Sequence, residues 1–191
     1  MRIILASESP RRRELLALMG LTFTVEPSSI AEEPPRHDTV AENVTALALQ
    51  KARAVAQHHP DACVIGADTV VDLDNMVLGK PHTAENARAY LTRLQGRTHS
   101  VFTGLAVITP NGERTACEET RVTFAPMTDA EIDWYVSTGE PLDKAGAYGI
   151  QGPACVFVRK IEGNYFNVIG MPVPLLYRLL LEEGVLTEDR A

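Results

Sequence analysis

Several stretches of the chain combine side chains that bind anions or move protons. Leu5-Ala-Ser-Glu-Ser-Pro-Arg-Arg-Arg13 joins an apolar run to a helix start. Such a junction presents unpaired backbone N–H groups and the positive end of the helix dipole to an anion. Ser7 and Ser9 add hydroxyl donors, and Arg11 and Arg12 add forked guanidinium groups that match phosphate oxygens. The alternative is an ordinary helix cap followed by a solvated basic face. Gly66-Ala-Asp68-Thr69 sets a carboxylate and a hydroxyl at a strand end, where Asp68 is suited to ligate Mg²⁺ or to accept a proton from water. An Asp that only caps a turn fits the same pattern. Lys80 sits on the stiff loop Gly79-Lys80-Pro81, and Lys51 on an amphipathic helix; a solvated lysine is the alternative for both. The segment from Asp143 to Gly152 mixes three glycines with Tyr148 and Gln151. Glycines let backbone approach a planar ligand, and the Gln151 amide offers a donor and an acceptor to a base edge. A tight corner is the alternative.

Other chemistries find less support. There is no Walker A sequence and no G-x-S-x-G nucleophile elbow, although spacing alone leaves a Ser-His-Asp or Cys-His arrangement open. The five histidines show no metal-ligand spacing. Cys63, Cys117 and Cys155 are odd in number and far apart, which points away from a disulfide framework and towards a reducing compartment. The 25 acidic and 18 basic residues give a formal charge of −7, unfavourable for non-specific nucleic-acid binding. No stretch reaches the roughly 20 apolar residues of a membrane span, and the opening residues lack the apolar run of a signal peptide. The expectation is a cytoplasmic protein with no nucleic-acid or membrane partner.

The elements that must position these residues alternate between helices and strands. Arg2–Ala6 reads as a buried strand, and Ser9 with Pro10 opens a helix carrying Leu15, Leu16 and Met19, with Gly20 after it. Phe23 and Val25 suit a second strand. Glu26–Asp38 is a proline-interrupted loop carrying Glu32 and Glu33. Thr39-Val-Ala-Glu42 is a capping box for a helix to about Gln57, with Val40, Val44, Leu47 and Val55 inward. Ala62–Ala67 forms a strand that Val70–Leu73 extends, followed by a turn at Asp74-Asn75. Thr83 caps a helix with Ala87, Leu91 and Leu94 on one face. Pro110-Asn111-Gly112 separates two strands of a hairpin, and Thr128 begins a second capping box. Cys155–Ile161 reads as a strand, a turn at 162–164 leads to Tyr165–Ile169, and Pro172 and Pro174 open a last helix. This order implies an α/β mixed sheet rather than a doubly wound parallel one.

In this order, LASESPRRRELL, the Glu32/Glu33 loop, QKARAVA, VIGADTVV, LGKP, EPLDKAGAYGIQG and GNYFNVIGMP resemble the Maf family of nucleotide pyrophosphatases. The resemblance implies one domain over residues 1–191. Its fold would be similar to the inosine triphosphate pyrophosphatases: an elongated mixed β-sheet flanked by helices, with two lobes around a cleft. It implies hydrolysis of a nucleoside triphosphate between the α and β phosphates, with Mg²⁺, Mn²⁺ or Co²⁺, and a possible homodimer. Carried over by position, Asp68 matches the proton acceptor and Glu32 an acidic residue of the active cleft; as hard oxygen donors, Glu32 and Asp68 are the expected metal ligands. Ser7, Arg11, Arg12, Lys51, Thr69, Lys80 and Gln151 are the expected substrate-binding residues. KAGAYGIQG resembles the dTTP/UTP branch; the 7-methyl-GTP branch typically has a glutamate-bearing segment there. A regulatory nucleotide-binding protein affecting cell division is the alternative from another class.

Overall fold

The computed structural model describes residues 1–30 and 37–187, so Glu32 and Glu33 lie outside the described residues. The chain divides into two compact units: Met1–Asp68 with Thr103–Glu118 and Gly170–Ala191, and Thr69–Phe102 with Glu119–Ile169. The strands are β1 (Ile3–Leu5), β2 (Phe23–Val25), β3 (Cys63–Leu73), β4 (Met76–Leu78), β5 (Thr98–Thr109), β6 (Gly112–Phe124) and β7 (Val158–Glu162). They form one seven-stranded sheet in the order β2-β1-β3-β5-β6-β7, with β4 also on β3. β1 runs parallel to β2 and β3, whereas β4 on β3 and β7 on β6 are antiparallel. The expected mixed α/β sheet with flanking helices is present.

The helices start where local side-chain chemistry says they should. α1 (Pro10–Leu18) is capped by Ser9, α2 (Val40–Ala56) by the Thr39/Glu42 capping box, α3 (Ala84–Leu94) by Thr83, and α4 (Asp129–Ser137) by the Thr128/Glu131 box. Each cap satisfies a backbone N–H that the helix leaves unpaired. α5 is the short helix Tyr165–Ile169, begun by Asn164, whose side-chain oxygen accepts from the Asn167 N–H at 3.2 Å. α6 (Val173–Glu182) follows Pro172.

Three readings of the sequence need correction. β3 is one continuous strand through Asp68 and Thr69, so Asp68 lies inside a strand and does not cap a turn. The strand expected at Cys155–Ile161 begins only at Val158. Pro153–Phe157 is instead a 3₁₀ turn whose buried Ala154 and Phe157 follow its three-residue period. Finally, α2 buries Val44, Ala48, Ala52 and Val55, whereas Val40 and Leu47 are half-buried.

That last difference has a physical cause within the first unit. α2 lies so close to the sheet that only glycine fits beneath it. A Cβ at Gly66 on β3 would stand 2.4 Å from the Ala48 carbonyl oxygen and 2.9 Å from the Ala52 Cβ. One at Gly104 on β5 would stand 2.5 Å from the Val44 carbonyl oxygen. Small residues on both sides let the backbones approach, and Ile4, Ala6, Val55, Val64 and Ala106 complete this core. The second unit is held by aromatic packing. His99, Phe124 and Tyr148 meet edge to face at centroid distances of 4.8 to 5.4 Å, and a His99 ring nitrogen, Nε2, lies 2.8 Å from the Tyr148 hydroxyl.

Two stability predictions follow from these cores. Gly66→Ala is expected to destabilise by about 3 kcal/mol or more, because the added methyl meets backbone. Gly79→Ala, with nothing within 4 Å of the new Cβ, is the control and should change stability by less than about 0.5 kcal/mol. Urea denaturation of both variants checks the difference. Burial pushes the His99 pKa down to about 4 from the usual 6.5. The folded state thus keeps His99 neutral while the unfolded chain takes up a proton below pH 6.5. Stability from this group is full above pH 6.5 and declines as pH falls towards 4, by about 3 kcal/mol in all. His99→Gln, which can still bond Tyr148, should flatten that part of the pH–stability curve; an unchanged slope would assign it to other groups.

Candidate active site

The first unit builds its chemistry where the parallel pairing of β1 with β3 ends. β1 pairs with β3 through Leu5 and Ile65, and the Ala6 N–H continues the ladder to the Ile65 carbonyl at 2.8 Å. Beyond that register β1 gives way to Ser7 and α1, while β3 runs on to Asp68. Residues two apart on a strand share a face, so Asp68 lies on the same side of β3 as Gly66, beneath α2. Lys51 stands on α2 between the two alanines that contact Gly66. Its ammonium reaches Asp68 Oδ1 at 2.6 Å, and the two side chains are only 12% and 13% exposed. Lys51 is therefore not the solvated lysine that its amphipathic helix allowed.

Ser7 and Arg12 form a second, linked group. The Ser7 hydroxyl oxygen accepts from the Ser9 N–H at 3.2 Å and from Arg12 Nη1 at 3.3 Å. Arg12 Nε donates to the Gly170 carbonyl at 2.9 Å. A guanidinium fixed on two sides is preorganised, so less side-chain entropy is lost when it meets an anion. Arg11 is half-buried on the same helical turn and takes no part in this network. The geometry thus separates the two arginines that the sequence left equivalent. Gly170 belongs to the segment GNYFNVIGMP, to which the sequence reading gave no chemical role, and a backbone carbonyl leaves no residue-type signal.

The second unit gathers Thr69, Lys80 and the glycine-rich segment. Thr69 and Val71 share a face of β3, and Gly146 packs against Val71 so closely that a Cβ would lie 2.7 Å from its Cγ2. The Lys80 loop is tied to this segment on both sides. The Gly146 N–H donates to the Gly79 carbonyl at 3.1 Å, and the His82 N–H to the Leu142 carbonyl at 3.2 Å. His82 and Ala147 both adopt left-handed backbone conformations, with φ of 60° and 62°. Such strain in non-glycine residues persists only where the surroundings hold it. Lys80 and Gln151 are exposed and Thr69 is half-buried.

A divalent cation suits the donor chemistry of Asp68, a hard carboxylate whose Oδ2 is not the oxygen engaged by Lys51. Mg²⁺ is commonly held by one or two carboxylates together with substrate phosphates. Among the described residues no three His, Cys, Asp or Glu side chains form a group that could hold a metal ion. Glu32, the other expected ligand, lies outside the described residues. No helix among the described residues is long and apolar enough to cross a membrane.

Comparison with known proteins gives these groups a context. The chain is 53% identical over 186 residues to a dTTP/UTP pyrophosphatase of Moorella thermoacetica, covering 96% of each chain. It is 49% identical over 183 residues to a dTTP/UTP pyrophosphatase of Bacillus pumilus, covering 96% of this chain and 97% of that protein. The Ham1 protein of Staphylococcus aureus has a similar fold, with a TM-score of 0.56 at 13% identity over 96% of this chain and 100% of that one. The family model described as Maf-like protein matches residues 2–183, so the chain belongs to the Maf family.

Proposed function

We propose that this chain is a nucleoside triphosphate pyrophosphatase that cleaves dTTP and UTP between the α and β phosphates, releasing the nucleoside monophosphate and pyrophosphate. The observation that carries this reading is the nearly buried Lys51–Asp68 pair, set where β1 gives way to the Ser7–Arg12 junction. A carboxylate held this way has one oxygen fixed and the other left for an attacking water. The names of the Moorella and Bacillus relatives support the substrate class.

In this mechanism Asp68 accepts the proton of the attacking water, while Lys51 holds Oδ1 and keeps the carboxylate from rotating. The triphosphate brings about four negative charges that fixed cations must neutralise. Arg12, Ser7 and the N-terminal turn of α1 take phosphate oxygens, with Arg11 beside them. Lys80 adds an ammonium from the stiff loop. Thr69 and Gln151 contribute to substrate choice, with Gln151 contacting the base edge. Asp68 and Glu32 would hold the divalent ion, Mg²⁺, Mn²⁺ or Co²⁺, which supplies charge neutralisation at the reacting phosphate when bound. Residues 1–191 act as one Maf-like domain. A cytoplasmic setting accords with the free Cys63, Cys117 and Cys155, and a homodimer is the assembly to look for by light scattering.

Release of pyrophosphate from UTP and dTTP by the purified protein tests the proposal. Asp68→Asn is expected to lower kcat by about 100-fold or more, the usual contribution of a positioned general base, in a protein that still folds. Near-normal turnover would remove Asp68 from the reaction. Nucleotide binding without pyrophosphate release would favour a nucleotide sensor, and a preference for 7-methyl-GTP would move the chain to that branch. Activity is also expected to disappear in excess chelator and to return with Mg²⁺, Mn²⁺ or Co²⁺. Full activity in chelator would leave charge neutralisation to the lysines and arginines alone.

A further inference from the structure

In the second unit, Gly149-Ile150-Gln151-Gly152 is a turn closed by the Gly152 N–H on the Gly149 carbonyl at 3.1 Å. Its two central residues have opposite environments: Ile150 is buried and Gln151 is exposed. The turn is therefore anchored by one side chain while it presents the next. A second anchor lies at its two ends and uses residues with no part in the mechanism above.

Tyr135 on α4 is fully buried. Its hydroxyl accepts from the Gly149 N–H at 3.1 Å and donates to Glu140 Oε2 at 2.7 Å. Burial, with the adjacent Glu140 carboxylate adding to it, pushes the Tyr135 hydroxyl well above the usual phenol range, so it keeps the proton that it donates. The other oxygen of Glu140 fills the space that Gly152 leaves empty: a Cβ on Gly152 would stand 1.8 Å from Glu140 Oε1. A Cβ on Gly149 would stand 3.1 Å from the same atom. Glu140 is itself fixed, because its N–H donates to the Thr138 hydroxyl at 3.2 Å just after the left-handed Gly139 ends α4. One tyrosine hydroxyl and one carboxylate thus grip the residues on either side of Ile150 and Gln151.

We infer that Tyr135 and Glu140 are positioning residues for substrate selection, which aim the Gln151 amide by clamping Gly149 and Gly152. The inference rests on the reading of Gln151 as the residue that contacts the base. A pyrimidine edge is distinguished by the direction of its donors and acceptors, so an amide that swings freely loses discrimination before it loses binding. Neither residue need touch the substrate. The glycines at 149 and 152 are explained together: each leaves room for the carboxylate that holds the turn.

Steady-state kinetics with UTP and with GTP as the poor purine substrate, beside thermal melting, test the inference in Tyr135→Phe, Gln151→Ala and the double variant. Tyr135→Phe keeps the buried ring and removes both hydrogen bonds. It is expected to lower kcat/KM for UTP about 10-fold, mostly through KM, while changing GTP less than about 2-fold. Because it acts through Gln151, the double variant should discriminate no worse than Gln151→Ala alone. Glu140→Gln, which keeps the volume and loses the charge, should compress the UTP/GTP ratio in the same direction and serves if Tyr135→Phe does not fold. A parallel loss on UTP and GTP, or losses that multiply in the double variant, would overturn the inference. If Gln151→Ala compresses the ratio and neither Tyr135→Phe nor Glu140→Gln does, the positioning role falls and the base-reading role stands. If Gln151→Ala leaves the ratio unchanged, the base-reading role falls and takes the positioning role with it.

Discussion

The close approach of α2 to the sheet is the constraint on which the first unit depends. Gly66 and Gly104 remove the side chains that would hold the helix off, and Ala48 and Ala52 do the same from the helix. Backbone then meets backbone at van der Waals distance, which brings Lys51 within 2.6 Å of Asp68. A buried ion pair offsets its desolvation only when its geometry is good. A helix displaced by the width of a methyl group would leave both charges poorly matched in a site with little water. The same alanines and glycines that look unremarkable as core residues therefore set the electrostatics of the candidate site.

How much of this was legible depends on the range of the interaction. The caps at Ser9, Thr39, Thr83 and Thr128, and the hairpin turn at Pro110-Asn111-Gly112, are written in side chains that act within a few residues. They were readable. The inward face of α2 was not, because hydrophobicity ranks Val40 and Leu47 above Ala48 and Ala52, while the glycines opposite select for smallness. The continuity of β3 was hidden by Asp68 and Thr69, polar residues that resemble the end of a strand. Their place inside it makes sense only once a lysine on the neighbouring helix is known to meet the carboxylate. The position of Arg12 after a helix cap was readable, and it is what makes the residue a candidate for binding an anion. Its anchor was not, since Gly170 is 158 residues away and offers only a carbonyl.

The second unit achieves order by another route. Backbone hydrogen bonds from Gly146 and His82 bind the Lys80 loop to the glycine-rich segment. Left-handed conformations at His82 and Ala147 each cost on the order of 1–2 kcal/mol. The fully buried Ala147 and the aromatic contacts of the adjoining Tyr148 offset that cost with packing. Loops fixed in this way present exposed side chains from a stiff support, a different solution from the buried pair of the first unit. Resemblance singled out the segment, but glycine content alone could not show that its backbone was strained and held on both sides.

The bond between Arg12 and Gly170 also orders events during synthesis. The first unit draws on both ends of the chain and on its middle, whereas the second is made of two internal segments. A ribosome releases residue 12 long before residue 170, and contacts between such distant residues form late because a long loop must close first. The second unit ends at Ile169 and Gly170 follows at once, so the guanidinium of Arg12 waits for its carbonyl partner until nearly all of the chain has been made. A polypeptide that stops short of Gly170 lacks the carbonyl partner of the Arg12 guanidinium.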